Sequence, residues 1–167
     1  MPSLRKRAPR RSPAADPTDA AAAELAAIAL LARRDFACGE LAAKLRERGF
    51  DAAMIDGLIE TLRARRLLDD ARYAGHFVRY HSARGQGPVR IRRDLEAVEV
   101  NAELIDSALE SGPDWATLAR ELRRRRFGAK PPEQWREKGR QARFLQYRGF
   151  SNDHIRTALG ADFELDT

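Results

Sequence analysis

The sequence predicts an all-α protein made of three tandem three-helix repeats. One short pattern recurs fifty residues apart, as LRERGFDAAMIDGLI from Leu45, LEAVEVNAELIDSAL from Leu95 and LQYRGFSNDHIRTAL from Leu145. Repetition at a fixed period is typical of stacked arrays, whose units bury little surface alone and pack on their neighbours. Aromatic residues make up only 7% of the 167 residues and long β-branched runs are missing, which argues against a large sheet.

Each copy of the pattern reads as two short helices joined by a tight corner. Six aligned positions agree in chemistry: Leu45, Leu95 and Leu145; Gly49, Glu99 and Gly149; Phe50, Val100 and Phe150; Asp51, Asn101 and Ser151; Ile55, Ile105 and Ile155; Ile59, Leu109 and Leu159. Glycine is a common residue just past a helix end, and Asp, Asn and Ser are good N-caps. The pattern therefore predicts a helix end and a helix start at each corner.

The first repeat is predicted over residues 21–68. Its first helix has apolar residues at three- and four-residue spacing, which predicts a buried face formed by Leu25, Ile28 and Leu31 or Ala32. The second helix is expected to end at Gly49, and Asp51 is expected to cap the third.

The second repeat is predicted over residues 69–112 and the third over residues 113–167. Asp69 is expected to cap a helix and Asp70 to favour its dipole, rather than to form a metal or acid–base pair. Tyr73, Phe77 and Tyr80 follow a helical stripe. The signature positions expected to hold the repeats together are Asp69, Asp70, Tyr73, Phe77, Pro88, Ile91 and Leu95.

Residues 1–20 differ in composition from the rest of the chain. Five basic residues stand against two acidic ones among Pro, Ser and Ala, with too little apolar surface to offset the ordering entropy. We predict a disordered basic arm. Its role stays open between a nucleic-acid contact and a solubilising tail or start-site artefact.

Composition narrows the partners and the compartment. A net charge of +6 and a pI of about 10.1 favour polyanionic partners, which include nucleic acid, an anionic membrane or an acidic protein. The single cysteine, Cys38, excludes an internal disulfide and fits a reducing compartment. No apolar run approaches the roughly 18 residues of a spanning helix, and the basic N-terminal residues lack the apolar centre of a secretory signal. We therefore expect a cytoplasmic protein without a membrane partner.

The sequence shows no convergent catalytic or metal-binding set. His76 and His81 are five residues apart, about 140° around a helix, and cannot share a metal. The stretch RGQGPVRIRRD lacks the Lys-Ser/Thr pair of a phosphate loop, so a turn followed by a Pro-started helix is the preferred interpretation. That helix start, with Arg90, Arg92 and Arg93, could still hold one DNA phosphate. We predict no enzymatic activity, no cofactor and no metal.

Positive charge concentrates between Arg120 and Arg148. This segment has eleven basic and three acidic residues, a net charge of +8 against +6 for the whole chain. Four consecutive arginines surround a helix turn, so they cannot all form internal ion pairs, and Trp, Phe and Tyr lie among them. The pattern is compatible with an anion-contacting surface and with a solvated face over an aromatic core.

A glycine-containing corner between helices also suggests a helix-turn-helix, with its second helix in the major groove. The second helices of the first two copies carry acidic residues, which repel phosphate: Asp51, Asp56 and Glu60, and then Glu103, Asp106 and Glu110. The third copy is less acidic. A helix-turn-helix transcription regulator is therefore the alternative function, and packing corners are preferred for the first two copies.

The stretch LLDDARYAGHFVRYHSARGQGPVRIRRDLEA resembles the central signature of the RecX family, whose members modulate the recombinase RecA. RGFDAAMIDGLIETL and FLQYRGFSNDHIRTALG resemble its flanking repeats, so the resemblance covers residues 21–160. It implies an elongated, curved, non-enzymatic array of three tandem three-helix repeats. It also implies binding in the groove of the RecA filament on single-stranded DNA, with inhibition of ATP hydrolysis, strand exchange and co-protease action, and a role in recombination, DNA repair and the SOS response.

Three features depart from the family pattern. Glu99 stands where the other corners have glycine, so the middle corner is expected to need another cap geometry. Ala37 stands where Ser or Thr would form a capping box with Glu40, a loss of about 1 kcal/mol. The basic arm of residues 1–20 has no clear family counterpart.

The resemblance, with the charge pattern that is compatible with it, leads us to expect a monomer that contacts RecA and single-stranded DNA, with duplex DNA left open. The contacting basic face is expected to include Arg84, Arg90, Arg92, Arg93, Arg123, Arg124, Arg125, Arg126, Arg140 and Arg143.

Overall fold

The computed structural model describes residues 16–160, and every regular element in that range is an α-helix. The first three helices are α1 (Ala20–Leu31), α2 (Cys38–Glu47) and α3 (Ala52–Ala64), the next three are α4 (Asp70–Ala83), α5 (Pro88–Glu96) and α6 (Ala102–Glu110), and the last are α7 (Trp115–Phe127), α8 (Trp135–Tyr147) and α9 (Asn152–Leu159). The predicted all-α class with three tandem three-helix repeats is confirmed. Most of the arm predicted over residues 1–20 lies outside the described residues, and Asp19 accepts from the amide of Ala22 to cap α1.

The described residues form two compact units. One contains residues 16–36 and Glu40–Leu68, and the other contains Ala37–Gly39 and residues 69–160. In the second unit α4 and α5 pack with α6, and α7 and α8 pack with α9. Half-buried Trp115 lies against the apolar clusters of both helix trios.

The apolar residues that recur fifty positions apart are buried in each repeat. Leu45, Leu95 and Leu145 are all fully buried, and so are Ile55, Ile105 and Ile155. The aromatic or valine residue after each corner is also buried. The repetition in the sequence therefore records one packing solution used three times.

The three corners share one backbone geometry, and here the expectation for the middle corner was wrong. Glu99 adopts a left-handed conformation with φ of 62°, beside 93° at Gly49 and 88° at Gly149. At each corner the next residue donates its amide to the carbonyl of the recurring leucine, at 3.3, 3.2 and 3.1 Å for residues 50, 100 and 150. The shared hydrogen bond thus holds Glu99 in a conformation that usually favours glycine.

The helix starts that follow the corners are capped as predicted. Asp51 accepts from the amides of Ala53 and Met54, and Asn101 accepts from that of Glu103. Ser151 forms a capping box with His154. Each corner therefore closes one helix and begins the next with hydrogen bonds made locally.

The buried face of α1 differs from the expected one. Ala23, Ala27 and Leu30 are buried, whereas Leu25 is 72% exposed and Ile28 39% exposed. The helix itself is made almost entirely of alanine, leucine and isoleucine, so apolar residues lie on more than one of its faces and their spacing does not single out the buried one. The small alanines allow a close approach that leucine spacing does not reveal.

The start of α2 gains a cap from a distant residue. Asp70 accepts a 2.8 Å hydrogen bond from the amide of Cys38, which belongs with Ala37 and Gly39 to the second unit. Ala37 itself is fully buried in the apolar cluster under α4 to α6. The position that lacks a capping hydroxyl therefore serves as a core position, and the acidic pair after Leu68 supplies the missing acceptor.

The start of α5 rests on the third corner. The amide of Gly87 donates to the carbonyl of Arg148 at 2.8 Å, and that of Val89 donates to the carbonyl of Gly149 at 3.0 Å. A Cβ atom on Gly87 would lie 2.3 Å from the carbonyl oxygen of Gly149. Glycine followed by Pro88 at the first helical position therefore builds the contact between the second and third repeats.

Candidate anion-binding surface

Of the four consecutive arginines at the end of α7, Arg123 points into the protein. It is only 2% exposed, and it donates to the carbonyls of Gly128, Ala129 and Lys130 at 3.1 to 3.2 Å. Burial lowers the pKa of its guanidinium, and the neighbouring charge of Arg124 adds to the shift. Arg123 therefore orders the connection between α7 and α8, and its place differs from the exposed face expected for it.

The other three arginines of this run are exposed. Among the described residues, no carboxylate lies within ion-pair distance of Arg124, Arg125 or Arg126. Arg124 and Arg125 line a shallow surface depression together with Glu121 and Ala129. These three cations lie in the last turn of α7, where positive charge complements the helix dipole.

On α8, Arg140 and Arg143 are both exposed. Arg140 binds Glu137 at 2.8 Å, and this hydrogen bond, with a second from Gln141, lowers the pKa of the Glu137 carboxyl. The same pair raises the pKa of Arg140. Arg140 also lies 5.2 Å from the ring centre of Phe127, the last residue of α7, which places the middle of α8 beside the arginine run.

The four arginines of the second repeat that were expected on the contacting face all have partners inside the protein. Arg84 covers the ring of Tyr80 at 3.9 Å, Arg92 pairs with Asp106, and Arg93 lies 3.5 Å from Asp94. Arg90 is half-buried, and its Nε lies 3.7 Å from an oxygen of Asp94. At the start of α5 the amides of Gly87 and Val89 already donate to carbonyls of the third corner, so these two amides are not available to a phosphate.

The signature residues serve packing and capping. Asp69 accepts from the amide of Arg72 and caps α4, as predicted. Ile91 and Leu95 are fully buried, and half-buried Tyr73 and Phe77 pack against the same cluster. Tyr80, from the same predicted stripe, is 56% exposed.

The third corner is also occupied from within the protein. Its carbonyls accept the first amides of α5, and a Cβ on Gly149 would lie 2.3 Å from Cβ of Arg90. On α9, Arg156 lies 3.5 Å from Asp153 and the Thr157 hydroxyl bonds to the Asp153 carbonyl. These contacts engage the polar side chains that a DNA-reading helix would present.

Residues 16–160 contain no cluster of three or more His, Cys, Asp and Glu side chains placed to hold a metal ion. Over the same range, no helix combines the length and apolar character needed to cross a membrane.

Residues 16–160 thus form an all-helical tandem-repeat protein: three groups of three helices, each with buried apolar positions, the last of them rich in arginine. Family models described as the first, second and third three-helix domains of RecX match residues 23–62, 69–109 and 114–159. The chain belongs to the RecX family.

Relatives named regulatory protein RecX are similar in sequence to most of this chain. A regulatory protein RecX of Halorhodospira halophila is 47% identical over 142 residues, which cover 84% of this chain and 88% of the relative. That of Ectopseudomonas mendocina is 43% identical over 139 residues, covering 82% and 93%. A solved regulatory protein RecX superposes with a TM-score of 0.70 at 26% identity, covering 83% of this chain and 70% of that one. The solved RecX of Lactobacillus salivarius is 23% identical and shares the fold, with a TM-score of 0.72. The match covers 84% of this chain and 94% of that one.

Proposed function

We propose that this protein is a non-enzymatic regulator that binds RecA and its filament on single-stranded DNA. It inhibits the filament's ATP hydrolysis, strand exchange and co-protease action. The single observation that carries this proposal is membership of the RecX family, whose relatives are named regulatory proteins. In the same proposal the protein acts as a monomer in the cytoplasm, and its repeats divide at residues 21–68, 69–112 and 113–167.

The exposed cations support a contact with DNA phosphates or an acidic protein face. Arg124, Arg125, Arg126 and Arg143 are exposed and lack a carboxylate partner among the described residues, so no internal ion pair has to break when they bind. Arg140 extends this surface although Glu137 shares its charge. Arg84, Arg90, Arg92 and Arg93 are secondary contacts in the proposal because each already has an internal partner.

Arg123 has a different part in the proposal. Its guanidinium donates to three backbone carbonyls inside the protein. We therefore assign it to holding the connection between α7 and α8, and not to contact with the partner.

The test is ATP hydrolysis by RecA on single-stranded DNA, with this protein added before or after filament assembly. Inhibition is expected in at least one order, and Arg124→Gln/Arg125→Gln is expected to weaken it. The matched control is Arg46→Gln/Arg48→Gln, which removes the same charge from exposed positions of the first repeat. No inhibition in either order rejects the proposed function. Equal inhibition by the wild type and a folded Arg124/Arg125 variant rejects the proposed surface.

A further inference from the structure

The outward face of α8 carries three arginines and a tyrosine in one line. Arg136, Arg140, Arg143 and Tyr147 follow one another at i, i+4, i+7 and i+11, so they share one side of the helix. All four are exposed, whereas Gln141, Ala142 and Leu145 form the buried side. We call the four residues the α8 stripe, which extends over about 16 Å at 1.5 Å per residue.

Tyr147 is the most exposed large apolar residue among the described residues of the second unit, at 80%. It lies one helical turn beyond Arg143, so the two side chains are neighbours on the helix surface. Arg136 and Arg143 have no carboxylate partner among the described residues. The stripe therefore offers free cations and, at one end, an uncovered aromatic face.

The stripe continues onto the arginine run of α7. Phe127, at the end of α7, meets the ring of Phe144 edge-on at 5.3 Å between centres and lies under Arg140. This contact brings the last turn of α7, with Arg124, Arg125 and Arg126, beside the middle of the stripe. The C-terminal end of α7 therefore lies beside the middle of the α8 stripe.

We propose that the α8 stripe binds single-stranded nucleic acid, with Arg136 and Arg143 on phosphates and one base stacked on the ring of Tyr147. Cations that track the backbone and aromatic rings that stack bases are the two recurring parts of single-strand binding surfaces. A duplex hides the faces of its bases, so stacking on Tyr147 selects the single strand. This inference rests on the proposed function, because it assigns the nucleic-acid side of the RecA–DNA filament to one face of the third repeat.

The test compares two labelled strands of equal length in the absence of RecA. One is poly-dT and the other is built of abasic residues, which keep the phosphates and lack the bases. Fluorescence anisotropy at several salt concentrations gives the affinities. Tyr147→Leu is expected to weaken poly-dT binding by roughly 5- to 150-fold and to leave abasic binding unchanged. Tyr147→Phe, which keeps the ring, is expected to bind both strands like the wild type.

The arginines are expected to act on both strands alike. Arg136→Gln/Arg143→Gln weakens both and lowers the salt slope by about 1.4, at 0.7 for each phosphate contact. Equal loss on both strands for Tyr147→Leu, or no loss on poly-dT, overturns the stacking assignment. The assignment is also overturned if Tyr147→Leu relieves RecA inhibition while its affinity for poly-dT stays unchanged, since the face then binds protein.

This result is separable from the proposed function. If the strand preference appears and RecA hydrolysis is unaffected by the wild-type protein, the regulatory proposal fails and the stripe assignment stands. If RecA is inhibited and the strands are not distinguished, the stripe assignment fails alone.

Discussion

Arg123 shows how one buried cation fixes a surface connection. Its two terminal nitrogens donate to three successive carbonyls, those of residues 128 to 130, and one also lies 3.4 Å from the side-chain oxygen of buried Gln141. The path from α7 to α8 is thereby folded around a single guanidinium.

Replacing Arg123 with methionine should cost about 2–3 kcal/mol of the free energy of unfolding, because several oxygens lose a charged donor. Arg125→Met, two residues away and exposed, should change it by less than about 0.5 kcal/mol. Urea denaturation followed by far-UV circular dichroism measures both values. A similar small effect for the two variants would contradict the supporting role of Arg123.

The sequence does not reveal which of the four arginines from Arg123 to Arg126 is buried. They are identical in the sequence, and only the turn of the helix and the path of the following residues decide which one is buried. The sequence shows that positive charge concentrates here, but Arg123 was expected on the exposed face and the structure buries it. A run of like residues carries no periodic signal that could separate an inward position from an outward one.

Glu99 has a left-handed backbone conformation whose energetic cost can be tested. A left-handed backbone costs a non-glycine residue about 1–2 kcal/mol, and glycine costs about 0.5–1 kcal/mol in chain entropy. Glu99→Gly should therefore raise the free energy of unfolding by about 0.5–1 kcal/mol. Glu96→Gly, at a helical position of α5 three residues earlier, should lower it by a similar amount. Urea midpoints that move in the same direction for both variants would show that the left-handed conformation is not the cause.

At the scale of elements, the docking of α5 on the third corner links the second and third repeats. Two backbone hydrogen bonds and the close approach at Gly87 form this joint. The sequence shows both parts of this contact: Gly87-Pro88 at the start of α5, and Arg148-Gly149 just after α8. It does not show that they meet, because residues 87 and 149 are far apart in the chain and neither residue type specifies a partner.

Gly87→Ala should lower the free energy of unfolding by about 2–3 kcal/mol, because the new methyl group would displace the Gly149 carbonyl and weaken both hydrogen bonds. Gly139→Ala is the matched control. It adds a methyl group on α8 with nothing within 4 Å and should raise the free energy by about 0.5–1 kcal/mol. Thermal unfolding of the two variants gives the comparison. If both alanines stabilise the protein, the close approach at Gly87 does not hold the repeats.

Helix α1 illustrates the other limit at this scale. The sequence correctly predicted its existence and approximate extent, since a long run of Ala, Leu and Ile strongly favours a helix. It did not predict the buried side, because Ala23 and Ala27 compete with Leu25 and Ile28 in any periodic count. The recurring positions of the corners were predicted correctly because three copies of the pattern constrain them together.

Across the whole molecule, charge is distributed unevenly. Residues 120–148 carry a net charge of +8, so the remaining residues sum to −2 against the total of +6. An unspecific attraction to DNA would depend on the total charge alone, whereas a defined surface depends on which arginines are removed. The two double variants Arg124→Gln/Arg125→Gln and Arg46→Gln/Arg48→Gln separate these cases, because each lowers the net charge by two, from +6 to +4.

The affinity of each variant for a single-stranded oligonucleotide should be measured across a range of salt concentrations. If Arg124 and Arg125 each neutralise one phosphate, their removal lowers the slope of log affinity against log salt by about 1.4, while the control keeps the wild-type slope. Their location at the end of α7, beside α8, makes this the expected outcome, because both side chains are exposed and have no carboxylate partner among the described residues. Equal slopes for the two variants would mean that the total charge governs the attraction. The arginine run would then be an ordinary solvated helix end.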